Sequence, residues 1–189
     1  RTARRFGPAL AAGLALRIWM FEKLLKVNGA SLIYGELAKS LLHGQYSRIL
    51  VGDIAGPTMI RLPGYPLYLA ACFKLFGIDN YFIPVLGQIV LELIGCVLLA
   101  DFAARIAPVK FATGVRPVTL WIAALCPFTA SYAVVPLAES LTLFSLTLAM
   151  WAMVHFIDAP RWGNALWFTF AIVFAALLRP DGALAGIAW

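Results

Sequence analysis

The 189 residues are 62% hydrophobic and 13% charged, against roughly 45–50% and about 25% in an ordinary soluble domain. A soluble domain of this size buries only about 70% of its chain surface, too little to hide five or six apolar runs of near-membrane length, so an all-α polytopic transmembrane helix bundle is the expected class. The net charge of +6 would suit nucleic acid only if the basic residues formed one stripe; Lys and Arg stand instead at the ends of apolar runs, which argues against a nucleic-acid partner and fits the positive-inside rule.

About 20 apolar residues cross about 30 Å of hydrocarbon, and the first such run covers about 6 to 27. It opens like a secretory signal peptide, but Arg17, Glu22, Lys23 and Lys26 stand where a small-residue cleavage site belongs, so a retained span is expected. Leu32 to His43 then reads as a helix with Ile33, Leu37 and Leu41 on one face and Glu36, Lys39, Ser40 and His43 on the other, a pattern suited to lying flat in the headgroup layer. Gly56-Pro57 and the Pro63-Gly64-Tyr65-Pro66 run shape the segment that follows, because Pro fixes φ and Gly tolerates tight backbone. Gly64 to Gly77 is apolar, but at 14 residues with Lys74 inside it has the length of an interfacial or re-entrant segment.

Four further spans are expected at about 82 to 104, 117 to 134, 137 to 157 and 164 to 178, with another starting near 183. Arg1 without a preceding Met, and the fresh apolar run from Gly182 to Trp189, suggest an N-terminal fragment of a longer chain. No repeat or linker divides residues 1–189, so a single domain is expected. Cys72, Cys96 and Cys126 are isolated in apolar runs and read as packing or lipid-facing residues; His43 and His155 fall far apart, and no metal site is expected. Trp19, Tyr81, Phe82, Trp162 and Trp167 lie near span ends, as an interfacial belt would place them.

Charge decides the topology. If Gly64 to Gly77 does not span, Arg1, Arg4 and Arg5 share the cytoplasmic side with Arg105, Lys110, Arg116 and Arg161, and residues 28 to 81 form one long outer loop carrying juxtamembrane helices. If it spans, the basic segment 105 to 116 is forced outside; the first arrangement is preferred. Arg17 and Glu92 fall near the middle of their runs, where an unpaired charge costs at least about 2.5–3.5 kcal/mol. A structural ion pair is expected between them, with Gln88, one turn from Glu92, as an additional partner.

In this topology Glu36, Lys39, His43, Arg48, Asp53, Arg61, Glu139, Arg179 and Asp181 converge on the outer face. The segment from Gly56-Pro57 through Arg61-Leu62-Pro63-Gly64-Tyr65-Pro66 to Ala70, with Tyr34-Gly35-Glu36-Leu37-Ala38-Lys39 and Leu42-His43-Gly44 upstream, resembles bacterial GT-C glycosyltransferases related to dolichyl-phosphate-mannose protein mannosyltransferases and aminoarabinose transferases. The likeness continues through Pro136 to Ser140 and Arg179-Pro180-Asp181. It implies an inverting transferase that moves a sugar from a polyprenyl-phosphate donor to an envelope lipid, glycan or protein, at the outer face of a bacterial inner membrane. The donor and membrane lipids are then the implied partners, and a divalent metal is left open by family analogy alone.

A phosphodiester leaves as a stable anion, so one carboxylate base suffices, while Arg binds the departing phosphate bidentately. The resemblance implies Glu36 as base and Tyr34, Lys39, Arg61, Tyr65, Glu139 and Arg179 as donor-phosphate or substrate contacts. Many relatives carry an aspartate three or four residues before the loop tyrosine, where this chain has Ala30 and Ser31. Bland readings stand beside these roles: Glu36, Lys39 and His43 as the wet face of a helix, Glu139 as a dipole-favoured first-turn acid, and Arg179 as a snorkelling helix end. A flippase for lipid-linked precursors and a non-catalytic subunit of the same fold are the rival functions; a flippase would be expected to show repeated halves. For the topology, a single cysteine near Gly114 should resist an impermeant thiol reagent in intact cells while one near Gln45 labels; labelling at 114 without permeabilisation would reverse the arrangement.

Overall fold

The computed structural model describes residues 2–27, 29–49, 55–57 and 61–184. Arg1, Asp53 and the side chains of Arg4, Arg5 and Arg48 lie outside what it describes, as does most of the run begun near 183. The described chain is helical: α1 (Thr2–Leu24), α2 (Ala30–Leu42), α3 (Gly64–Phe76), α4 (Phe82–Ile106), α5 (Ala112–Ala124), α6 (Pro127–Ala133), α7 (Ala138–Asp158) and α8 (Trp162–Leu178), closed by a 3-10 turn at Pro180–Ala183. A short antiparallel ladder pairs β1 (Ser47–Ile49) with β2 (Ala55–Pro57), Ser47 opposite Pro57. Pro66, Pro84 and Pro127 all fall in the first turn of a helix, where the missing N–H would have no partner anyway.

Two expectations about the helices need correction. The span at 117 to 134 is not one helix: it starts at Ala112 and breaks between α5 and α6. Pro127 disfavours helical backbone in the residue before it, and Cys126 takes φ −64°, ψ 113°. The amphipathic reading of α2 was also rotated. Its buried side is Ser31, Tyr34, Gly35, Leu37 and Ala38, whereas Ile33 and Leu41 are only half-buried. Small residues turn inward because α2 packs closely: a Cβ on Gly35 would run into the Tyr81 hydroxyl.

Contacts at the helix ends give the directions. Phe21 meets Phe82 edge-on at 5.6 Å, while Ala9 shares a core with Cys96, Ala100 and Leu120, so α1 and α4 run antiparallel. Gln88 reaches the carbonyl of Val135 at one end of α4 and Arg105 reaches Asp158 at the other, so α4 and α7 run parallel. Asn164 donates to the His155 carbonyl while Leu178 packs with Ala138 and Leu141; α8 therefore returns along α7.

One end, here the basic end, is organised by Asp101. It accepts from Arg105 Nε at 3.2 Å and Trp151 Nε1 at 3.0 Å, pairs with Arg116, and lies 3.5 Å from His155 Nε2. The opposite, loop end gathers α2, α3, the starts of α4 and α7 and the end of α8. Between them, α4 and α7 are long and apolar enough to cross a membrane, and α8 is a shorter apolar helix of 17 residues. Phe82, Leu86, Val90 and Ile94 are exposed along one side of α4, and Leu166, Phe170, Val173 and Leu177 along α8. The three cysteines are free; Cys96 is buried, and Cys72 and Cys126 are half-buried. Of the expected aromatic belt, Trp19, Phe82, Trp162 and Trp167 are exposed, whereas Tyr81 packs edge-on against Phe73.

At mid-length Arg17 is 0% and Glu92 5% exposed. Arg17 Nε donates to Glu92 Oε2, and its Nη1 donates to the carbonyls of Gly13 and Ala124, both at 2.7 Å. Ala124 ends α5, so its carbonyl is one of the last four that have no partner within the helix. Gln88 does not join this pair, contrary to expectation: it bonds Tyr65 and Val135 instead, and the Cys96 thiol, 3.6 Å away, faces Glu92 Oε1. Arg17→Leu and Glu92→Leu should each lower the yield of folded protein, since either leaves a buried charge unpaired, at a cost of about 3–5 kcal/mol. The double change should recover much of the loss; simple additivity would mean the two residues are not coupled.

Candidate functional site

A cavity of about 360 Å³ opens at the loop end, walled by Ala30 and Tyr34 of α2, Arg61 and Leu62, the start of α7 through Glu139, and the end of α8 through Arg179 and Asp181. Each wall has a local cause. The Arg61 carbonyl accepts from the Tyr46 hydroxyl at 2.6 Å, and its guanidinium lies 5.6 Å from the centroid of the Tyr34 ring, a cation–π distance. Tyr34 in turn sits edge-on to Tyr65 at 4.9 Å. Burial raises the Tyr34 phenol pKa, with Arg61 opposing, Glu139 adding to the rise and Arg179 opposing again.

Glu139 stands in the first turn of α7, where the helix dipole favours an anion. Its Oε1 lies 3.6 Å from Arg179 Nη1, and its Oε2 is buried without a hydrogen-bond partner among the described residues. Arg179 is extended at φ −149°, ψ 141° because Pro180 follows it, and its Nη2 lies 3.3 Å from Asp181 Oδ2. Two glycines allow this corner to close. A Cβ on Gly64 would come within 2.6 Å of the Leu177 backbone, and one on Gly182 would collide with the Ala175 carbonyl. The start of α3 and the terminal turn can therefore both rest directly on α8.

Four of the residues expected as donor-phosphate or substrate contacts meet here: Tyr34, Arg61, Glu139 and Arg179. Tyr65 lies one layer below, fully buried, with its hydroxyl donating to Gln88 at 2.6 Å. Glu36 and Lys39 are not in the wall. Lys39 Nζ pairs with Asp79 Oδ1 at 3.1 Å, and Glu36 is exposed on the side of α2 that faces Tyr81. The Tyr81 phenol is pushed up to about 12 by burial, then by Asp79 and Glu36. His43 is exposed at the end of α2. Among the described residues no group of three His, Cys, Asp or Glu side chains is arranged to hold a metal ion.

A second cavity, about 270 Å³, lies among α4, α5, α6 and α7, beside Glu92, Cys96 and Cys126. Two of its hydroxyls, Thr129 and Thr147, are already bonded to backbone carbonyls at 3.4 and 2.9 Å, so it offers little polar chemistry beside the loop-end pocket. Asp181, expected from the sequence on the outer face but without a contact role of its own, also lines the loop-end pocket.

No protein-family model, curated protein or solved structure matches this chain. Function must therefore be read from the pocket itself. Gly64→Ala should force α3 away from α8 and lower stability by about 1–3 kcal/mol, read as the midpoint of detergent-induced unfolding. Gly114→Ala, where an added Cβ meets nothing within 4 Å, is the matched control and should show no loss.

Proposed function

We propose that the chain is a multi-pass membrane glycosyltransferase whose loop-end pocket binds the phosphate of a polyprenyl-phosphate sugar at the outer face of a bacterial inner membrane. In this reading α1, α4, α5 with α6, α7 and α8 cross the bilayer, and α2 and α3 lie at its outer surface. The alternating helix directions, the sorting of Asp101, Arg105, Arg116 and Asp158 to one end, and the apolar outward sides of α4 and α8 support that arrangement. Water would be a poor solvent for such contiguous apolar faces.

The observation that carries the chemistry is the grouping, around a single cavity, of two arginines with a carboxylate that has one oxygen unpartnered among the described residues. Arg61 and Arg179 suit a phosphodiester, because their planar forks match its oxygens. Arg179 would exchange its long contacts to Glu139 and Asp181, at 3.6 and 3.3 Å, for the phosphate. That exchange frees Glu139 to take the proton from an acceptor hydroxyl. The acceptor oxygen then bonds to the anomeric carbon from the face opposite the phosphate, the carbon–oxygen bond to phosphate breaks, and polyprenyl phosphate leaves as an anion steadied by the two cations.

Glu139 is preferred to Glu36 as base because it borders the cavity and Glu36 does not. One observation favours a second reading, a lipid-phosphate-binding subunit without catalysis: the pocket is lined by Ala30, one of the two positions, with Ser31, where many members of the resembled family carry an aspartate. The protein in liposomes that also carry extracted bacterial envelope lipids and glycans as acceptors, offered a panel of radiolabelled polyprenyl-phosphate sugars, should consume one of them. Glu139→Gln should then slow turnover by about 10²–10⁴-fold with donor binding kept, Arg179→Ala should weaken donor binding, and Glu36→Gln should leave turnover near normal. Loss of turnover in Glu36→Gln alone would move the base to α2. Binding without consumption would favour the non-catalytic subunit, and a protein that neither binds nor consumes any donor would end the glycosyl-transfer reading.

A further inference from the structure

We infer that Gln88 is the positioning residue of the loop-end pocket: from inside α4 its one amide ties down both walls, Tyr34 with Arg61 on one side and Glu139 on the other. Gln88 does not border the cavity, and it is 0% exposed. It is six residues into α4, so roughly 9 Å below the start of that helix. Its Oε1 accepts from the Tyr65 hydroxyl at 2.6 Å and its Nε2 donates to the Val135 carbonyl at 3.0 Å. The orientation of the amide follows from its partners, since a carbonyl can only accept; the nitrogen must face Val135, which leaves the oxygen for Tyr65.

The two arms lead to different walls. Through Tyr65, itself fully buried, Gln88 fixes the ring on which Tyr34 rests edge-on, and Tyr34 carries the Arg61 guanidinium over its face. Through Val135 it holds the turn between α6 and α7. The same carbonyl accepts from the Leu137 amide at 2.8 Å, and Leu137 is the extended residue, at φ −136°, ψ 159°, that caps α7 two positions before Glu139. The site needs a donor and an acceptor on one planar group at this reach. Glutamine alone among uncharged side chains supplies both at that length; asparagine is one methylene short, and methionine has neither.

The inference rests on the pocket proposed above as a lipid-phosphate site, and the test separates the two. The protein in nanodiscs is titrated with a polyprenyl phosphate, and amide hydrogen exchange is followed at 134–139 and 61–65. Gln88→Met should weaken binding about tenfold, the scale of a lost buried hydrogen bond, and speed exchange in both segments. Tyr65→Phe, which severs one arm only, should speed exchange at 61–65 and spare 134–139. Tyr68→Phe is the control: it removes a 2.7 Å bond from Tyr68 to the Pro84 carbonyl, again between α3 and α4 but off the pocket. It should lower the unfolding midpoint comparably and leave binding and exchange at wild-type values. Equal weakening by Tyr68→Phe, or unchanged exchange at 134–139 in Gln88→Met, overturns the positioning role. Should Gln88→Met not fold, Tyr65→Phe against Tyr68→Phe decides in the same way at 61–65. A wild-type protein that binds no polyprenyl phosphate defeats the proposed function, while the exchange pattern still decides whether Gln88 sets the pocket.

Discussion

A guanidinium in a dry core must find an anion and enough acceptors for its five N–H groups, because an uncompensated buried charge costs several kcal/mol. Arg17 meets most of that requirement with groups from three helices: the Gly13 carbonyl of its own α1, Glu92 of α4 and the Ala124 carbonyl at the end of α5 take Nε and Nη1, while Nη2 is held only by its ion pair with Glu92. The last contact permits the break that follows. A helix that stops inside a bundle exposes carbonyls that neither lipid nor apolar side chains can satisfy, and Arg17 supplies a charged donor to one of them. The chain is then free to restart at Pro127 as α6, to turn at 134–137, and to enter α7 with Glu139 in its first turn. The position of the candidate base thus depends on an ion pair half a helix away.

The two ends of the bundle use charge differently. At the basic end the carboxylates are crowded with donors: Asp101 takes four neighbours, and Arg105 reaches Asp158 at 2.7 Å. Such a cluster fastens α4, α5 and α7 together. At the loop end the contacts of Arg179 are 3.3 and 3.6 Å, and one oxygen of Glu139 is unpartnered among the described residues. Loosely held charges around an open cavity can be re-paired with little penalty, which suits a site that must accept and release an anion. The buried tie at Gln88 keeps the backbone beneath them from moving as they do so.

Much of the helical layout was legible because hydropathy reports length and polarity directly: the runs at 82 to 104, 137 to 157 and 164 to 178 correspond to α4, α7 and α8. Hydropathy cannot see a break that costs no polar residue, so Leu125-Cys126-Pro127 passed as the middle of one span. The inward face of α2 was misread for a related reason. Apolar periodicity ranks Ile33 and Leu41 above Gly35 and Ala38, whereas close approach to α3 and Tyr81 selects small residues. Tyr34, Arg61, Glu139 and Arg179 were all visible as residue types in an order, and they do meet. The partners of Gln88 were not visible. An amide placed one turn from Glu92 on the same helix looks like its neighbour, and only tertiary packing turns it toward Tyr65 and Val135.

The span of chain between Arg17 and its partners has a bearing on biogenesis. Glu92 comes 75 residues after Arg17, and Ala124 comes 107 after it. At about 5–20 residues per second, a nascent chain has made Arg17 some 4–15 s before its counter-ion exists and roughly 5–20 s before the α5 carbonyl does. If α1 is a span, as proposed, and enters the bilayer as it emerges, it does so carrying an uncompensated cation, and must linger beside the insertion machinery or sit high with its arginine in the headgroups until α4 arrives. The first segment made would then be among the last to reach its final depth, and the order of synthesis would differ from the order of assembly.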